Sequence, residues 1–210
     1  RKLKGGLMMD WYCYEHLAAE KGYSRICGID EAGRGPLAGP VFAAAVILPP
    51  GAEIEGLNDS KKLSAKKREA LFDVITQTAV SYGIGFASET EIDQINILQA
   101  TFLAMSRAVE ALSKPADYAL IDGNRMPPLA IPGETIVKGD ALSASIAAAS
   151  ILAKVSRDRV MEEIDRIYPE YQFAKHKGYG TALHRALLLQ YGASPVHRKT
   201  FLKNILGRTE

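Results

Sequence analysis

The chain has few of the residues that would cross-link it or bind a soft metal ion. It contains only two cysteines, Cys13 and Cys27, and their spacing matches neither a disulfide framework nor a metal-binding motif. Its four histidines show no metal-ligand spacing either. We therefore expect buried, reduced thiols, with the cytoplasm as the default location.

Long apolar segments are also missing. The longest strictly apolar run, Val41–Leu48, is too short to cross a bilayer. The segment at the start of the chain has no sustained apolar core of the kind that secretory signals contain. We expect neither a membrane-spanning helix nor a membrane partner.

Two well-known phosphate-binding loops are absent. The segment Gly28–Pro40 has glycines in the spacing G-x-G-x-x-x-G, but an apolar strand follows where a dinucleotide-binding loop would lead into a helix. The pattern G-x-x-x-x-G-K-[ST] occurs nowhere in the chain. Both absences argue against a nucleotide cofactor.

The net charge is too weak to indicate a partner, because 26 basic residues and 24 acidic residues leave a formal charge of +2. The basic residues are nevertheless clustered, and the clusters are Lys61-Lys62, Lys66-Lys67-Arg68, Lys175-His176-Lys177 and Arg198-Lys199. Such clusters suit a polyanion, although for each one alone a solvated surface is the more ordinary explanation.

Hydrophobic periodicity and turn residues predict an α/β protein. The predicted strands are 25–30, 41–48, 82–87, 118–121 and 135–137, and the predicted helices are 8–21, 64–80, 97–112, 142–167 and 181–191. Short turns between the early strands imply antiparallel pairing, whereas helices between the later strands imply parallel crossovers. We expect a mixed β-sheet of about five strands, antiparallel then parallel, flanked by helices, with a basic helical arm at the C-terminal end.

Acidic residues end two of the predicted strands. Asp30 is the last residue of the first predicted strand and Glu31 follows it, and Asp122 directly follows the fourth. Neighbouring residues of a regular strand face opposite ways, so Asp30 and Glu31 can serve one site only if the strand ends or kinks at Glu31. Ordinary explanations also exist: Asp30 can cap a loop, Glu31 can face solvent, and Asp122-Gly123 is a turn signal.

Another acid, Asp158, lies in the long predicted helix. The first half of this helix is apolar nearly all round, which allows Asp158 to face a cleft. The spacing equally allows a solvated ion pair with Lys154, which is four residues earlier. The residues alone leave this choice open.

Taken together, these four acids form an all-oxygen set without a useful cysteine or histidine. Hard oxygen ligands favour Mg²⁺ or Mn²⁺ over zinc. Two such ions would stabilise both the attacking and the leaving oxygen of a phosphodiester displacement. The pattern therefore predicts metal-dependent phosphodiester chemistry, with the basic clusters holding a nucleic-acid backbone.

Two further segments combine a predicted helix start with groups that suit phosphate or sugar. Glycines flank Tyr179 and leave its ring free to approach a ligand, while Thr181 can cap the next helix. Ser60, Lys61 and Lys62 precede another helix start. A packed tyrosine and plain capping residues are the alternative explanations.

Five segments together resemble one known family. In chain order they are Gly28–Pro40 (GIDEAGRGPLAGP), Asp59–Leu63 (DSKKL), Ile121–Asn124 (IDGN), Ala148–Asp158 (AASILAKVSRD) and His176–Thr181 (HKGYGT). They are similar to the motifs of the bacterial type 2 ribonuclease H (ribonuclease HII) family from about Tyr23 to Phe201. The resemblance implies a ribonuclease-H-like fold with an N-terminal extension over 1–22, a catalytic domain over 23–168 and a helical substrate-binding region over 169–210.

The resemblance also implies an activity. It is hydrolysis of the RNA strand of RNA/DNA hybrids and incision 5′ of single ribonucleotides in duplex DNA, which leaves 5′-phosphate and 3′-hydroxyl ends. The implied cofactor is Mg²⁺ or Mn²⁺, with two ions when substrate is bound. The implied partners are RNA/DNA hybrids and ribonucleotide-containing DNA duplexes, and we expect a cytoplasmic monomer that acts in ribonucleotide repair.

By motif position, the resemblance also implies roles for individual residues. Catalysis and metal binding fall on Asp30, Glu31, Asp122 and Asp158. Sensing of the 2′-hydroxyl and of the junction sugar falls on Gly33, Arg34, Gly35 and Tyr179. Phosphate contacts fall on Ser60, Lys61, Lys62 and Lys154. The 2′-hydroxyl distinguishes ribose from deoxyribose, and a glycine-flanked backbone can approach it closely.

Two alternatives stay open at this point. A nuclease of the same fold that cuts only DNA, such as a junction resolvase, would carry similar acids but would not need the Gly33–Gly35 sensor or Tyr179. A non-enzymatic hybrid-binding module would keep the basic clusters and lose one or more of the acids, yet all four are present here.

Overall fold

The computed structural model describes residues 10–57 and 63–207. Its strands are β1 (Ile26–Ala32), β2 (Val41–Ile47), β3 (Ser81–Ala87), β4 (Tyr118–Asp122) and β5 (Gly133–Ile136). They form one sheet in the order β3-β2-β1-β4-β5. The pairs β1–β2 and β2–β3 are antiparallel, whereas β1–β4 and β4–β5 are parallel. The predicted mixed sheet is confirmed.

Helices cover both faces of this sheet. They are α1 (Cys13–Glu20), α2 (Ala65–Thr78), α3 (Glu89–Glu110), α4 (Ala144–Ile167), α5 (Phe173–His176), α6 (Ala182–Tyr191) and α7 (Lys199–Leu202). Within the described residues, no helix is long and apolar enough to cross a membrane. The domain boundaries predicted after residues 22 and 168 stay predictions.

Strand β2 separates two apolar cores. Val41, Ala43 and Ala45 pack with α3 on one face, and Ala44 and Val46 pack with α4 on the other. Because both faces are covered, the strand is a continuous apolar run rather than an alternating one. This coverage of both faces explains why the sequence of β2 gives a clear strand prediction.

Helix α4 crosses β1 at Gly28. A β-carbon at this glycine would lie 2.1 Å from the main-chain carbon of Ser145. Only a residue without a side chain allows the helix to approach this closely. The close crossing brings the middle of α4, with Ser150 and Lys154, to the end of β1.

The N-terminus of α4 is closed by a side chain from α1. The buried Oε1 of Glu15 accepts hydrogen bonds from the hydroxyls of Ser143 (2.6 Å) and Ser145 (2.7 Å) and from the main-chain N–H of Ser145 (3.0 Å). A carboxylate at this end of a helix also interacts favourably with the helix dipole. The first helix is thereby fixed to the helix that lines the site.

Helix α3 begins eight residues before the predicted start at Ile97, at Glu89. Asn96 has a left-handed conformation (φ 69°) and interrupts the helix immediately before Ile97. The earlier segment carries a capping box formed by Ser88 and Glu91. The helix start that the sequence predicts at Ile97 is therefore the point where α3 continues after the kink at Asn96.

The C-terminal segment is hydrogen-bonded to the loop between β1 and β2, residues 33–40. The main-chain N–H of Leu37 donates to the carbonyl of Gly178 (2.8 Å), and the N–H of Arg198 donates to the carbonyl of Leu37 (2.9 Å). The predicted helical arm is present as α5 to α7. Through these contacts it lies against the β1–β2 loop.

Candidate active site

Two acids lie beside each other where β1 and β4 run in parallel. Ile29 is paired with Ile121, so the residues that follow, Asp30 and Asp122, lie at the same level of neighbouring strands. Asp30 is 6% exposed, and its Oδ1 accepts a hydrogen bond of 2.7 Å from the main-chain N–H of Glu31.

The electrostatics of Asp30 indicate a crowded acidic site. Burial raises the pKa of Asp30 well above its usual range, and the charges of Glu31 and Asp122 raise it further. An interaction with the hydroxyl of Ser150 opposes this rise. A carboxylate with a raised pKa of this origin is one that a bound cation would stabilise in its charged form.

Glu31 contributes to the same site although β1 does not end there. The strand continues past its predicted end at Asp30 as far as Ala32, because pairing with β2 persists, and the chain turns at Gly33. Oε1 of Glu31 lies 3.4 Å from Nη1 of Arg34. Burial raises the pKa of Glu31, Arg34 lowers it, and Asp122 raises it.

Asp122 is oriented by a turn that the sequence did not single out. Its Oδ1 accepts hydrogen bonds from the main-chain N–H groups of Gly139 (2.6 Å) and Asp140 (3.4 Å). Asp140 is itself only 6% exposed. This turn follows β5, which neighbours β4, and it places the main chain of Asp140 next to the Asp122 carboxylate. That position was the signal that could have identified Asp140.

Asp158 lies farther along α4. Its Oδ1 accepts a hydrogen bond of 2.8 Å from Nζ of Lys154, which is the ion pair that its spacing allowed. It follows Ser150, the residue that contacts Asp30, by eight positions, or about 12 Å of helix. The structure brings together the other three predicted acids and leaves Asp158 apart from them. Its role in catalysis stays a prediction.

A cleft of about 450 Å³ opens beside the acids. Its polar and aromatic lining residues include Glu31, Arg34, Arg68, Ser150, Lys154 and Tyr179, together with Gly33 and Gly35. The ring of Tyr179 is accessible, and its centroid lies 5.9 Å from Nζ of Lys154. Glu31, the loop glycines, several cations and an aromatic ring therefore face one space.

The predicted phosphate-binding residues divide into two groups. Lys154 lines the cleft. Ser60, Lys61 and Lys62 lie outside the described residues. Arg68, which the sequence showed only as part of a basic cluster, is a further cation of the cleft.

The two glycines of the predicted sensor have different surroundings. Gly33 has φ +95°, and a β-carbon there would lie 2.0 Å from Nε of Arg157. At Gly35 the nearest atom to such a β-carbon would be Cε1 of Tyr179, at 3.9 Å. The backbone needs the first glycine, whereas the second leaves space open next to the tyrosine ring.

A mixed five-stranded sheet that carries acids on neighbouring strands, beside a cleft lined by cations, defines the class of ribonuclease-H-like nucleases. The sequence model of the family described as Ribonuclease HII matches residues 27–204. The chain belongs to the ribonuclease HII family. It is therefore an enzyme, an endonuclease that hydrolyses phosphodiester bonds in the RNA strand of RNA/DNA hybrids.

Known proteins agree with this assignment. The chain is 58% identical over 188 residues to a ribonuclease HII of Syntrophotalea carbinolica, covering 90% of each chain. It is similar to the crystal structure of ribonuclease H2 from Pyrococcus horikoshii OT3, with a TM-score of 0.72, 27% identity, and coverage of 87% of this chain and 97% of the other. It shares its fold with Bst-RNase HIII, solved in complex with Mn²⁺, with a TM-score of 0.63, 17% identity, and coverage of 80% and 70%.

Proposed function

We propose that this enzyme uses Mg²⁺ or Mn²⁺ to cut the RNA strand of RNA/DNA hybrids and to incise duplex DNA 5′ of a single ribonucleotide. The products would carry 5′-phosphate and 3′-hydroxyl ends. The observation that carries the proposal is that Glu31 lines the cleft formed with residues 33–35 and Tyr179, while electrostatic interactions connect Glu31 with Asp30 and Asp122.

The acids fit a divalent cation by their donor chemistry. Asp30, Glu31 and Asp122 offer hard oxygen ligands, and burial, together with the charges of neighbouring acids, raises the pKa of Asp30 and of Glu31. In residues 10–57 and 63–207, no three acidic, histidine or cysteine side chains already form a closed metal cluster. The three acids therefore match a divalent cation in ligand chemistry and charge, and they do not form a preformed coordination site.

For the fourth acid of the site, we propose Asp140 as the stronger candidate than Asp158. The main-chain N–H of Asp140 contacts the Asp122 carboxylate, and the residue is buried in the same turn. Asp158 is instead paired with Lys154 on α4. Ligands to a common pair of cations must lie close together, which favours the residue that already adjoins Asp122.

When bound, the cations would supply charge neutralisation at the scissile phosphate and a more acidic water. The chain itself positions the acids: the Ser150 hydroxyl contacts Asp30, and the Gly139 N–H contacts Asp122. Lys154 adds positive charge at the cleft, where a phosphate backbone would run. These contacts fix where the carboxylates can point.

Recognition of ribose is proposed for the segment Gly33–Gly35 and for Tyr179. The open space at Gly35 would admit a sugar, and the accessible Tyr179 ring would pack against the sugar at the junction. Because a 2′-hydroxyl both donates and accepts hydrogen bonds, main-chain groups at fixed positions can detect it. This arrangement favours a ribonuclease over a nuclease that cuts only DNA.

The test is a DNA duplex with one ribonucleotide, compared with the same duplex made only of DNA. We expect a single cut 5′ of the ribonucleotide in Mg²⁺ or Mn²⁺, and none with a chelator. Mapping of both product ends should give a 5′-phosphate and a 3′-hydroxyl. Equal cutting of the all-DNA duplex, or binding without cutting, would reject the proposal in favour of a DNA nuclease or a binding module.

A further inference from the structure

Two arginines are fully buried beneath the cleft. Arg157 lies on α4 and Arg198 immediately precedes α7, and each is 0% exposed. Burial lowers the pKa of both, and repulsion from Arg157 contributes to a value of about 9 for Arg198. Arginine side chains are effectively always protonated in proteins, so both guanidinium groups carry a charge. A buried charge is unfavourable unless hydrogen bonds compensate for it.

The hydrogen bonds of both guanidinium groups end on main-chain carbonyls. Arg157 donates to the carbonyls of Pro40 (3.1 Å), Ala38 (3.1 Å) and Lys177 (2.9 Å). Arg198 donates to the carbonyls of Gly39 (2.9 Å), Arg34 (2.9 Å) and Gly33 (2.6 Å). Five of these six acceptors belong to the β1–β2 loop, so the two cations fix the path of that loop.

In the part of the chain that the structure describes, nearby acidic side chains do not serve as hydrogen-bond acceptors for Arg157 and Arg198 in place of these carbonyls. Glu89 has a favourable electrostatic interaction with both arginines. Among the described residues, neither Arg157 nor Arg198 forms an ion pair within 4.0 Å. Two like charges are thus kept together and buried in contact with backbone. A solvated surface arginine or an apolar core residue would not need backbone carbonyls to compensate for a buried charge.

The carbonyls bound by Arg198 determine where two N–H groups point. No described peptide bond is cis, so the C=O and N–H of each peptide unit point in opposite directions. The carbonyls of Gly33 and Arg34 point inward to Arg198. The N–H groups of Arg34 and Gly35 therefore point away from it, on the side where these residues line the cleft.

We propose that Arg198, assisted by Arg157, is a positioning residue for ribose selectivity, because it aims the main-chain N–H groups of Arg34 and Gly35 into the cleft. This inference rests on the proposed function. Arg157 supports the same loop from below, since a β-carbon at Gly33 would lie 2.0 Å from Nε of Arg157. Neither arginine touches substrate. They act through the loop, whose N–H groups would donate to the 2′-oxygen of the ribonucleotide.

The first test is Arg198→Lys, which keeps the charge but cannot bind the carbonyls of Gly33 and Arg34 together with that of Gly39. Two constants are measured in Mg²⁺: kcat/KM for the single-ribonucleotide duplex, and Ki of the matching all-DNA duplex as a competitive inhibitor. Because charge-assisted hydrogen bonds would lose their alignment, we expect kcat/KM to fall about 10- to 100-fold. Ki should change less than about twofold, since phosphate contacts supply affinity for DNA.

The matched control is Arg159→Lys. Arg159 lies on the same helix, is exposed, and pairs with Glu69 at the surface, so neither constant should change. The fraction of active enzyme is measured in each preparation, so that a loss of selectivity can be distinguished from a loss of folded enzyme. If Arg198→Lys leaves kcat/KM unchanged, or lowers the affinity for both duplexes equally, the inference is overturned.

A second pair of variants tests the N–H groups even if Arg198→Lys does not fold. Arg34→Ala removes only the side chain, whereas Arg34→Pro also removes the N–H that points to the cleft. We expect the proline variant to show at least tenfold less preference for the ribonucleotide duplex than the alanine variant, because both lack the Arg34 side chain and only the proline variant lacks the N–H. Equal preference in both variants would overturn this inference and would leave the proposed function unaffected. Failure of the unaltered enzyme to cut the ribonucleotide duplex would instead overturn the proposed function.

Discussion

The carbonyl oxygen of Tyr179 accepts a hydrogen bond of 2.9 Å from Nδ1 of His184. Nε2 of His184 lies 3.0 Å from Nε2 of His197, and Nδ1 of His197 accepts from the main-chain N–H of Ser194 at 3.0 Å. Only one arrangement of protons satisfies this chain: His197 donates from Nε2 to His184, and both rings are neutral. Neutral histidines thus hold the backbone of the tyrosine that lines the cleft.

This chain predicts a loss of stability in acid. Burial, together with neighbouring histidines, lowers the pKa of His184 and of His197 to about 4, whereas an unfolded histidine titrates near 6.5. The unfolded state therefore binds protons first, and the contribution of these rings is complete above about pH 6.5 and is lost as the pH falls through about 4. We expect the free energy of unfolding to fall by roughly 2 kcal/mol or more from this source, measured by urea denaturation at several pH values.

The measurement needs a matched variant, because Asp30 and Glu31 have raised pKa values and change stability in the opposite direction as the pH falls. His184→Asn removes one buried ring and should reduce the acid-dependent loss. His16→Asn alters an exposed ring paired with Asp10 and should leave the loss unchanged. An identical pH dependence in all three proteins would contradict the assignment.

The two sensor glycines should respond differently to alanine. Gly33→Ala places a β-carbon on Arg157 at a positive φ, so we expect a loss of about 1–3 kcal/mol of stability. Gly35→Ala has room for its methyl group and should change stability by less than about 0.5 kcal/mol. That methyl group would nevertheless occupy the space beside Tyr179, so kcat/KM for a single-ribonucleotide duplex should fall about tenfold or more. Full activity of Gly35→Ala would show that no sugar enters there.

Asp140→Asn and Asp158→Asn decide which acid completes the metal site. We expect Asp140→Asn to lower kcat by on the order of 10²-fold or more, because a lost metal ligand removes several kcal/mol of transition-state stabilisation. It should also raise the Mg²⁺ concentration needed for half-maximal activity. Asp158→Asn should change both quantities only a few-fold. The reverse result would restore Asp158 as the fourth ligand.

Lys154 should contribute affinity without setting the position of the cut. Removing one phosphate contact lowers the slope of log affinity against log salt by about one. We therefore expect Lys154→Gln to raise KM with a shallower salt dependence and an unchanged cleavage position. Lys114→Gln, near the opposite end of the sheet, is the control. A shifted cut site in Lys154→Gln would assign Lys154 to selectivity instead.

The sheet was predictable because its strands have strong local signals. Alternation in β3 and the continuous apolar run of β2, which lies between Pro40 and Pro49, identify strands directly. The first part of α3 was missed because Asn96 breaks the helical period. The capping box of Ser88 and Glu91 was nevertheless readable in the sequence.

Asp30, Glu31 and Asp122 were predictable as neighbours because they lie at or near the ends of two strands. Asp140 was missed because it lies in a Lys-Gly-Asp turn that carries no periodicity. The roles of Arg157 and Arg198 were invisible for a different reason. Charged residues in a sequence are expected in solvent, and only tertiary structure shows that backbone carbonyls compensate for their burial.

The carboxylate of Glu15 has a consequence for how a polyanion can approach this enzyme. A long helix usually offers its positive end to a phosphate group. Here that end of α4 already holds an anion from the same chain. This end of α4 is therefore not open to a phosphate group, and we expect side chains such as Lys154 and Arg68, which line the cleft, to attract a nucleic acid in a manner sensitive to dissolved ions.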